Sequence, residues 1–359
     1  MKQYILTAIA VGAAQSAFAG GVDRSGQSIG IIYEDGNYAE FSLGLVSGDV
    51  SGVTSGAVSG VSSGDAAPSY AQFSAGYKWS GGGPIDVGII FDQPFAAVID
   101  YPAGAYPLAG SNAELKSQAV TVLANYDVGG GFSLHAGARA QSIEMEVALS
   151  ALSYVGTGDR SVGYGYLVGA AFEKPEIALR VALTYNSAVD HDIDTSETGP
   201  SNTVTRVTTP QSVNLEFQTG IAADTLLFGS ARWVEWSKFD ISPVVYVGAV
   251  GAPIVSFSDD KITYSLGVGR KFTEEWSGAI TVGYEDASGG LASNLSPTDG
   301  RTSVGLGATY TAGDMKLTGG VSYIWIGDAT TTVNSAPAIA GNFSDNTALA
   351  AGFKIGWQL

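Results

Sequence analysis

The chain holds two histidines, His135 and His191, and no cysteine. Disulfides, thiolate zinc sites and cysteine nucleophiles are therefore excluded. A serine hydrolase needs a His and a Ser oriented by a third group. His135 falls in a strand-like stretch and His191 in a polar one, and neither has such partners in a local pattern. No catalytic site is read and no cofactor is expected. Asp190-His191-Asp192-Ile193-Asp194 sets oxygen ligands at alternate positions, a spacing that in a loop could hold Ca²⁺. It lacks the Gly and the distal Glu of a calcium loop, so a solvated acidic loop is expected and no metal site is assigned.

Three further groups could handle a ligand. Asp23 and Arg24 are adjacent opposite charges; Arg24 offers a cation to a carboxylate, or the two hold a structural salt bridge. In Phe91-Asp92-Gln93-Pro94-Phe95, Pro94 cannot donate to a strand ladder, so it marks either a bulge or gap, or simply the strand end. Gly88, earlier in the same stretch, permits a close approach or a bend. Trp233, Trp236 and Phe239 could line a surface that captures apolar molecules, or form an aromatic girdle at a membrane interface.

The elements that must position these residues are strands. The chain ends Phe353-Lys354-Ile355-Gly356-Trp357-Gln358-Leu359, with Phe353, Ile355, Trp357 and Leu359 on one face. An exposed terminus of Trp and Leu suits the closing strand of an outer-membrane barrel, one face against lipid. At the other end, Lys2, an apolar stretch from Ile5 to Ala14 and Ala17-Phe18-Ala19 read as a cleaved signal peptide over 1–19. The chain has 17 Lys+Arg against 34 Asp+Glu, a net charge of −17. Nucleic acid and anionic lipid are thus disfavoured as partners. After the signal, no run reaches about 18 apolar residues, so no transmembrane helix is expected.

Alternation recurs at Ile262–Val268, Trp276–Tyr284, Val304–Tyr310 and Leu317–Trp325, with a bulky face opposing a small, mostly polar one. That pattern fits lipid outside and a lumen inside. Short turn-rich links fall at 81–84, 127–131, 173–176, 222–224, 273–275 and 311–314. Longer Ser/Thr/Gly/Asp-rich stretches near 48–67, 96–112, 149–160, 187–209, 240–257, 286–300 and 327–345 read as loops. Together they predict an all-β, transmembrane antiparallel β-barrel of about 14 strands with both termini on the short-turn, periplasmic side.

The stretch Thr209-Pro210-Gln211-Ser212 and the later Arg232-Trp233-Val234-Glu235-Trp236-Ser237-Lys238-Phe239 resemble the FadL-type transporters of long-chain fatty acids and hydrocarbons. Asp92-Gln93-Pro94-Phe95 is similar to that family's D-Q-P-F segment on its third strand, and Asp299-Gly300-Arg301 with Gly305-x-Gly307-x-x-Tyr310 also matches. The resemblance implies a 14-stranded outer-membrane barrel over 38–359, plugged by an N-terminal hatch over 20–37 that is shorter than usual. It implies capture of hydrophobic small molecules, fatty acids or hydrocarbons, by the loops, then a site inside and a sideways exit at a kinked third strand. Substrate-path candidates are Asp23, Arg24, Gly88, Phe91, Pro94, Phe95, Trp233, Trp236 and Phe239. Outer-membrane lipid and lipopolysaccharide would surround a monomer. The rival expectations are a general diffusion porin for small polar solutes, and a structural or adhesive surface barrel. A porin would need facing acidic and basic clusters at its constriction.

Overall fold

The computed structural model describes residues 22–55, 59–199, 201–333 and 336–359; the expected signal peptide lies outside the described residues. Seventeen strand segments form one sheet. Three barrel strands are each interrupted, so the segments make 14 strands. They are β1 Tyr38–Asp49, β2 Tyr70–Ser80, and β3 in two parts, Ile85–Asp92 and Ala96–Asp100. Then follow β4 Asn112–Gly129, β5 Phe132–Leu149 and β6 Tyr154–Lys174. Two more strands are split, β7 into Leu179–Asn186 and Val189–Glu197, and β8 into Ser201–Thr209 and Ser212–Ala222. The rest are β9 Thr225–Val234, β10 Lys261–Lys271, β11 Trp276–Glu285, β12 Arg301–Ala312, β13 Met315–Ile326 and β14 Thr347–Gln358.

The sheet closes on itself because β14 pairs antiparallel with β1, from Tyr38 opposite Gln358 to Asp49 opposite Thr347. Closure leaves no sheet edge, which a hydrocarbon surround demands. Phe41, Leu43, Leu45, Phe73, Ile89, Val120, Val122 and Leu134 are exposed on the outer wall. Trp79, Tyr126, Trp276, Tyr284, Tyr323 and Trp325 sit near strand ends on that wall. Exposed Trp and Tyr rings at strand ends are what the interface belt of a membrane-spanning barrel consists of.

The six short links are all turns between paired strands, as the sequence predicts. Several expected loops are otherwise. Within 149–160, β5 and β6 are joined by only a short turn containing the 3₁₀ segment Ser150–Leu152. The stretch 187–209 is a hairpin, Val189–Glu197 paired with Ser201–Thr209. Strand Ala96–Asp100 occupies the start of 96–112. In 327–345, Ala329–Val333 and Ala336–Phe343 pair with each other and with Gly52–Ser55 as a small sheet. The physical reason is that β4 to β8 run past the lipid. There the outer face meets water, so Glu114, Glu144, Asp190, Asp192 and Asp194 replace the apolar set. The inner face keeps Ile143, Met145 and Ile193 buried. The three aspartates therefore do not converge: alternate strand residues stand roughly 7 Å apart. Asp192 pairs with Arg206 at 3.0 Å, and Asp190 accepts from Thr208 at 2.7 Å.

Candidate functional site

Residues 22–37 run inside the barrel. A turn carries Gly26 and Gln27 at φ of 64° and 53°, and a 3₁₀ segment follows at Gly30–Tyr33. The chain begins this course on β3. Asp23 bridges Phe95 in antiparallel fashion. Its neighbours close the pair: Arg24 N–H donates to Pro94 O at 2.9 Å, and Ala96 N–H to Val22 O at 2.9 Å.

That contact falls at the break in β3. Pro94 has no N–H to give, so the ladder stops at Asp92 and restarts at Ala96. The orphaned backbone of Phe95 is served by Ser117 on β4, which accepts from Phe95 N–H at 2.8 Å and donates to Phe95 O at 2.6 Å. On the other side β2 pairs with β3 only from Ala75 opposite Phe91 to Ser80 opposite Asp86. Above that point no strand hydrogen-bonds β2 on the β3 side among the described residues; the side chain of Gln93 accepts from Phe73 N–H instead, at 3.0 Å. A cavity of 170 Å³ opens here, lined by Arg24, Tyr70, Gln72, Gln93, Ala96 and Val98 and reaching the outer-wall side chains of Lys116 and Arg160.

Side chains fix the N-terminal segment to the wall. Arg232 of β9 donates to Asp23 at 2.6 Å, to Ser212 at 2.9 Å, to Asn214 at 2.7 Å and to Gln27 at 3.1 Å. Both charges are buried, so their worth rests on these partners, although Asp23 Oδ1 is buried without a hydrogen bond among the described residues. Ser25 donates to Asp92 at 2.5 Å, and Asn214 to Gly26 O at 2.8 Å. Lower down, Tyr33 lies 3.3 Å from His135 Nδ1, and Lys316 pairs with Glu34 at 3.0 Å. Gly88 faces inward. A Cβ there would stand 3.0 Å from Leu123 and 3.2 Å from Ile32, so the 3₁₀ segment approaches this wall as closely as it does because Gly88 has none.

Above the segment the interior is apolar. Val22, Phe95, Leu115, Ile143, Met145, Ile193, Trp236, Phe239 and Ile241 form one buried cluster. Trp236 meets Phe95 and Phe239 edge-on, at 5.8 Å and 5.6 Å between ring centroids. Beside it lies a cavity of 50 Å³ lined mostly by apolar side chains such as Val22, Leu115, Met145, Phe239 and Leu295, together with Glu114 and Glu146, and with no Lys, Arg or His among the described residues. A second chamber of 380 Å³, lined by Asp23 and Arg24 among others, is charged: its lining carries Glu34, Glu40, Asp92 and Glu216 together with Arg180, Arg232, Arg301 and Lys354.

The roof is the connection after β9, which contains the helix α1, Val244–Val250. Glu197 at the tip of β7 caps it, accepting from Val245 N–H and Tyr246 N–H at 3.0 Å, from Tyr154 at 2.9 Å and from Thr203 at 2.9 Å. Burial raises the Glu197 pKa, but these donors outweigh it and the net shift is downward.

The structure thus brings together Asp23, Arg24, Gly88, Pro94, Phe95, Trp236 and Phe239 around the N-terminal segment. Phe91 and Trp233 stand apart on the outer wall. Phe91 stacks on Phe73 at 5.3 Å, and Trp233 falls opposite the outward Ile262 in the β9–β10 ladder. Adjacent in sequence, Asp23 and Arg24 turn to different partners: Asp23 to Arg232, and Arg24 to Tyr70 and Ala96. Sequence reasoning missed Arg232, Tyr70, Gln93, Ser117 and Glu197. Only Arg232 carried a signal, since period two turns it inward when Trp233 faces lipid.

A closed 14-stranded antiparallel barrel with a lipid-facing girdle, a lumen crossed by its own N-terminal segment and a break in its third strand defines an outer-membrane transport barrel. A sequence profile of the outer membrane protein transport protein family (OMPP1/FadL/TodX) matches residues 109–356, and the chain belongs to that family. Curated protein sequences give no match. Among solved structures, a Pseudomonas aeruginosa FadL homologue superposes with a TM-score of 0.73 at 13% identity, covering 96% of each chain. The P. putida toluene transporter TodX gives 0.65 at 12% identity, with 91% of each chain covered. The Ralstonia pickettii toluene transporter TbuX gives 0.63 at 12% identity, covering 91% of this chain and 90% of that one. The protein is an outer-membrane transporter of hydrophobic molecules.

Proposed function

We propose that the protein passively takes up long-chain hydrophobic molecules, fatty acids foremost, and releases them sideways at the break in β3. The observation that carries this reading is the position of Val22. It lines the apolar cavity, and its carbonyl is bonded to Ala96 just past Pro94. A cargo that enlarges the cavity therefore pushes on the residue that seals the strand break. Residues 20–37 act as the hatch in this account. Their charged contacts with Arg232 and Asp92 block an apolar chain from the lumen below, whereas the outer wall offers lipid. Exposing such a chain to water would cost about 0.8 kcal/mol per CH₂.

The described cavity lining offers no basic residue and carries Glu114 and Glu146, so recognition falls on the apolar part of the cargo. Binding of a long-chain fatty acid and of the alcohol of equal chain length, compared by calorimetry, tests this. The expected affinities lie within a few-fold of each other and rise with chain length. Tight binding of the acid with none of the alcohol would contradict it.

A further inference from the structure

Arg24 spans the unpaired part of the barrel wall. Its Nε donates to Ala96 O on β3 at 2.7 Å, and its Nη1 hydrogen-bonds the Tyr70 hydroxyl on β2. The guanidinium also lies 3.8 Å from the centroid of the Tyr70 ring. Strands β2 and β3 share no ladder at this height, the last pair being Ala75 and Phe91. Side chains cross the opening instead: Gln93 low down, and Arg24 above it.

The two ties differ in origin. Gln93 belongs to the wall, so it stays with β3 whatever the N-terminal segment does. Arg24 belongs to the N-terminal segment, one residue past the Asp23–Phe95 bridge. Any shift that pulls this segment from β3 withdraws the guanidinium from both strands at once. A guanidinium is suited to the task, since its fixed fork of donors and flat face reach two acceptors and a ring together.

We propose that Arg24 is the positioning residue that ties β2 to β3 and makes the opening of the wall conditional on movement of the N-terminal segment. The inference rests on the sideways-exit reading for its purpose, though its geometry is testable alone. A charge-assisted hydrogen bond with good geometry sets a shift of about tenfold or more in the closed-to-open ratio when it is lost.

The native chain has no cysteine, so a spin-label pair can be placed by Ala71→Cys and Val98→Cys, outward positions on the two sides of the opening. A control pair, Leu45→Cys and Ala71→Cys, spans directly opposed residues of the β1–β2 ladder. In the full-length protein in lipid, electron–electron distance measurements are compared for the native background, Tyr70→Phe, Arg24→Lys and Arg24→Ala. Tyr70→Phe keeps the ring and removes one acceptor, so it remains informative if Arg24→Ala fails to assemble. The expected result is a longer-distance population across the opening that grows in that order, with the control pair unchanged. An unchanged distance across the opening in Tyr70→Phe and Arg24→Lys would overturn the tie. Cross-linking the two cysteines introduced by Ala71→Cys and Val98→Cys judges the exit route separately: uptake that persists through the cross-link contradicts sideways exit, while the distances still decide the role of Arg24.

Discussion

Phe95 packs edge-on against Trp236, with ring centroids 5.8 Å apart and planes at 82°. This contact joins the break in β3 to the connection that follows β9. Phe95 is also the residue that Asp23 bridges through the backbone, so strand break, N-terminal segment and buried aromatic cluster meet at one residue. On the route proposed above, a cargo entering among Trp236, Phe239 and Met145 meets the seal of the wall directly.

Trp236→Ala should therefore weaken long-chain fatty acid binding by at least about tenfold, because it removes a fully buried ring from the cluster. Large-to-small changes of this kind cost about 3–5 kcal/mol of stability. Trp236→Phe separates the two effects, since it keeps an aromatic ring. It should retain most of the stability and bind within a few-fold of the native protein, measured by titration and by denaturant unfolding in detergent.

Arg232→Met leaves Asp23 buried without its cation, a loss of about 3–5 kcal/mol at that contact. The expected readout is faster proteolysis of the N-terminal segment in the assembled barrel. Adding Asp23→Asn should recover much of the protection, because the stranded charge is then gone. A double-mutant cycle on protease half-lives measures the coupling.

At Gly88 the wall and the 3₁₀ segment leave room for little more than hydrogen, with a built Cβ 3.0 Å from Leu123 and 3.2 Å from Ile32. Gly88→Ala should be absorbed by small side-chain shifts. Gly88→Val should cost about 1–3 kcal/mol through overpacking and push the segment away from β3. Thermal unfolding checks the first effect, and proteolysis of residues 22–37 the second.

Glu197 gives a pH dependence with a definite sign. Burial raises its pKa, but the Val245 and Tyr246 amides and the Thr203 and Tyr154 hydroxyls bring the net value below the ordinary glutamate range. A depressed carboxylate stabilises the folded state above its unfolded pKa, and that contribution is lost as pH falls through the folded value. The hold on α1 should thus be constant from neutral pH down to the ordinary glutamate range and weaken only in stronger acid. Hydrogen exchange of the Val245 and Tyr246 amides, corrected for intrinsic rate, reads this. Glu197→Gln should show the loosened amides at neutral pH.

The barrel was legible in the sequence where lipid wrote the pattern. Trp276–Tyr284 and Leu317–Trp325 alternate because one face meets hydrocarbon, and the short turns between such strands carry Gly, Asp and Pro. Where β7 and β8 rise above the membrane, the outer face of the hairpin carries polar and charged residues while Ile193 and Val207 stay in the buried cluster. Asp190, Asp192 and Asp194 then look like a loop, although His191 and Ile193 keep the inward parity. The strand break was legible because Pro94 lacks a donor. Its repair by Ser117 and Gln93 was not, since each acts across a distance of 20 or more residues. Trp233 faces outward on β9, whereas Trp236 lies past the end of that strand in a 3₁₀ segment that turns it inward. Composition alone gives the three aromatics of this stretch the same weight.

The most direct test of the account is uptake by liposomes carrying the mature protein, comparing a long-chain fatty acid with a small sugar. Saturable entry of the fatty acid, with sugar flux at the level of empty liposomes, is the predicted result. Sugar flux without fatty acid uptake would contradict it and make the charged 380 Å³ chamber part of a diffusion pore.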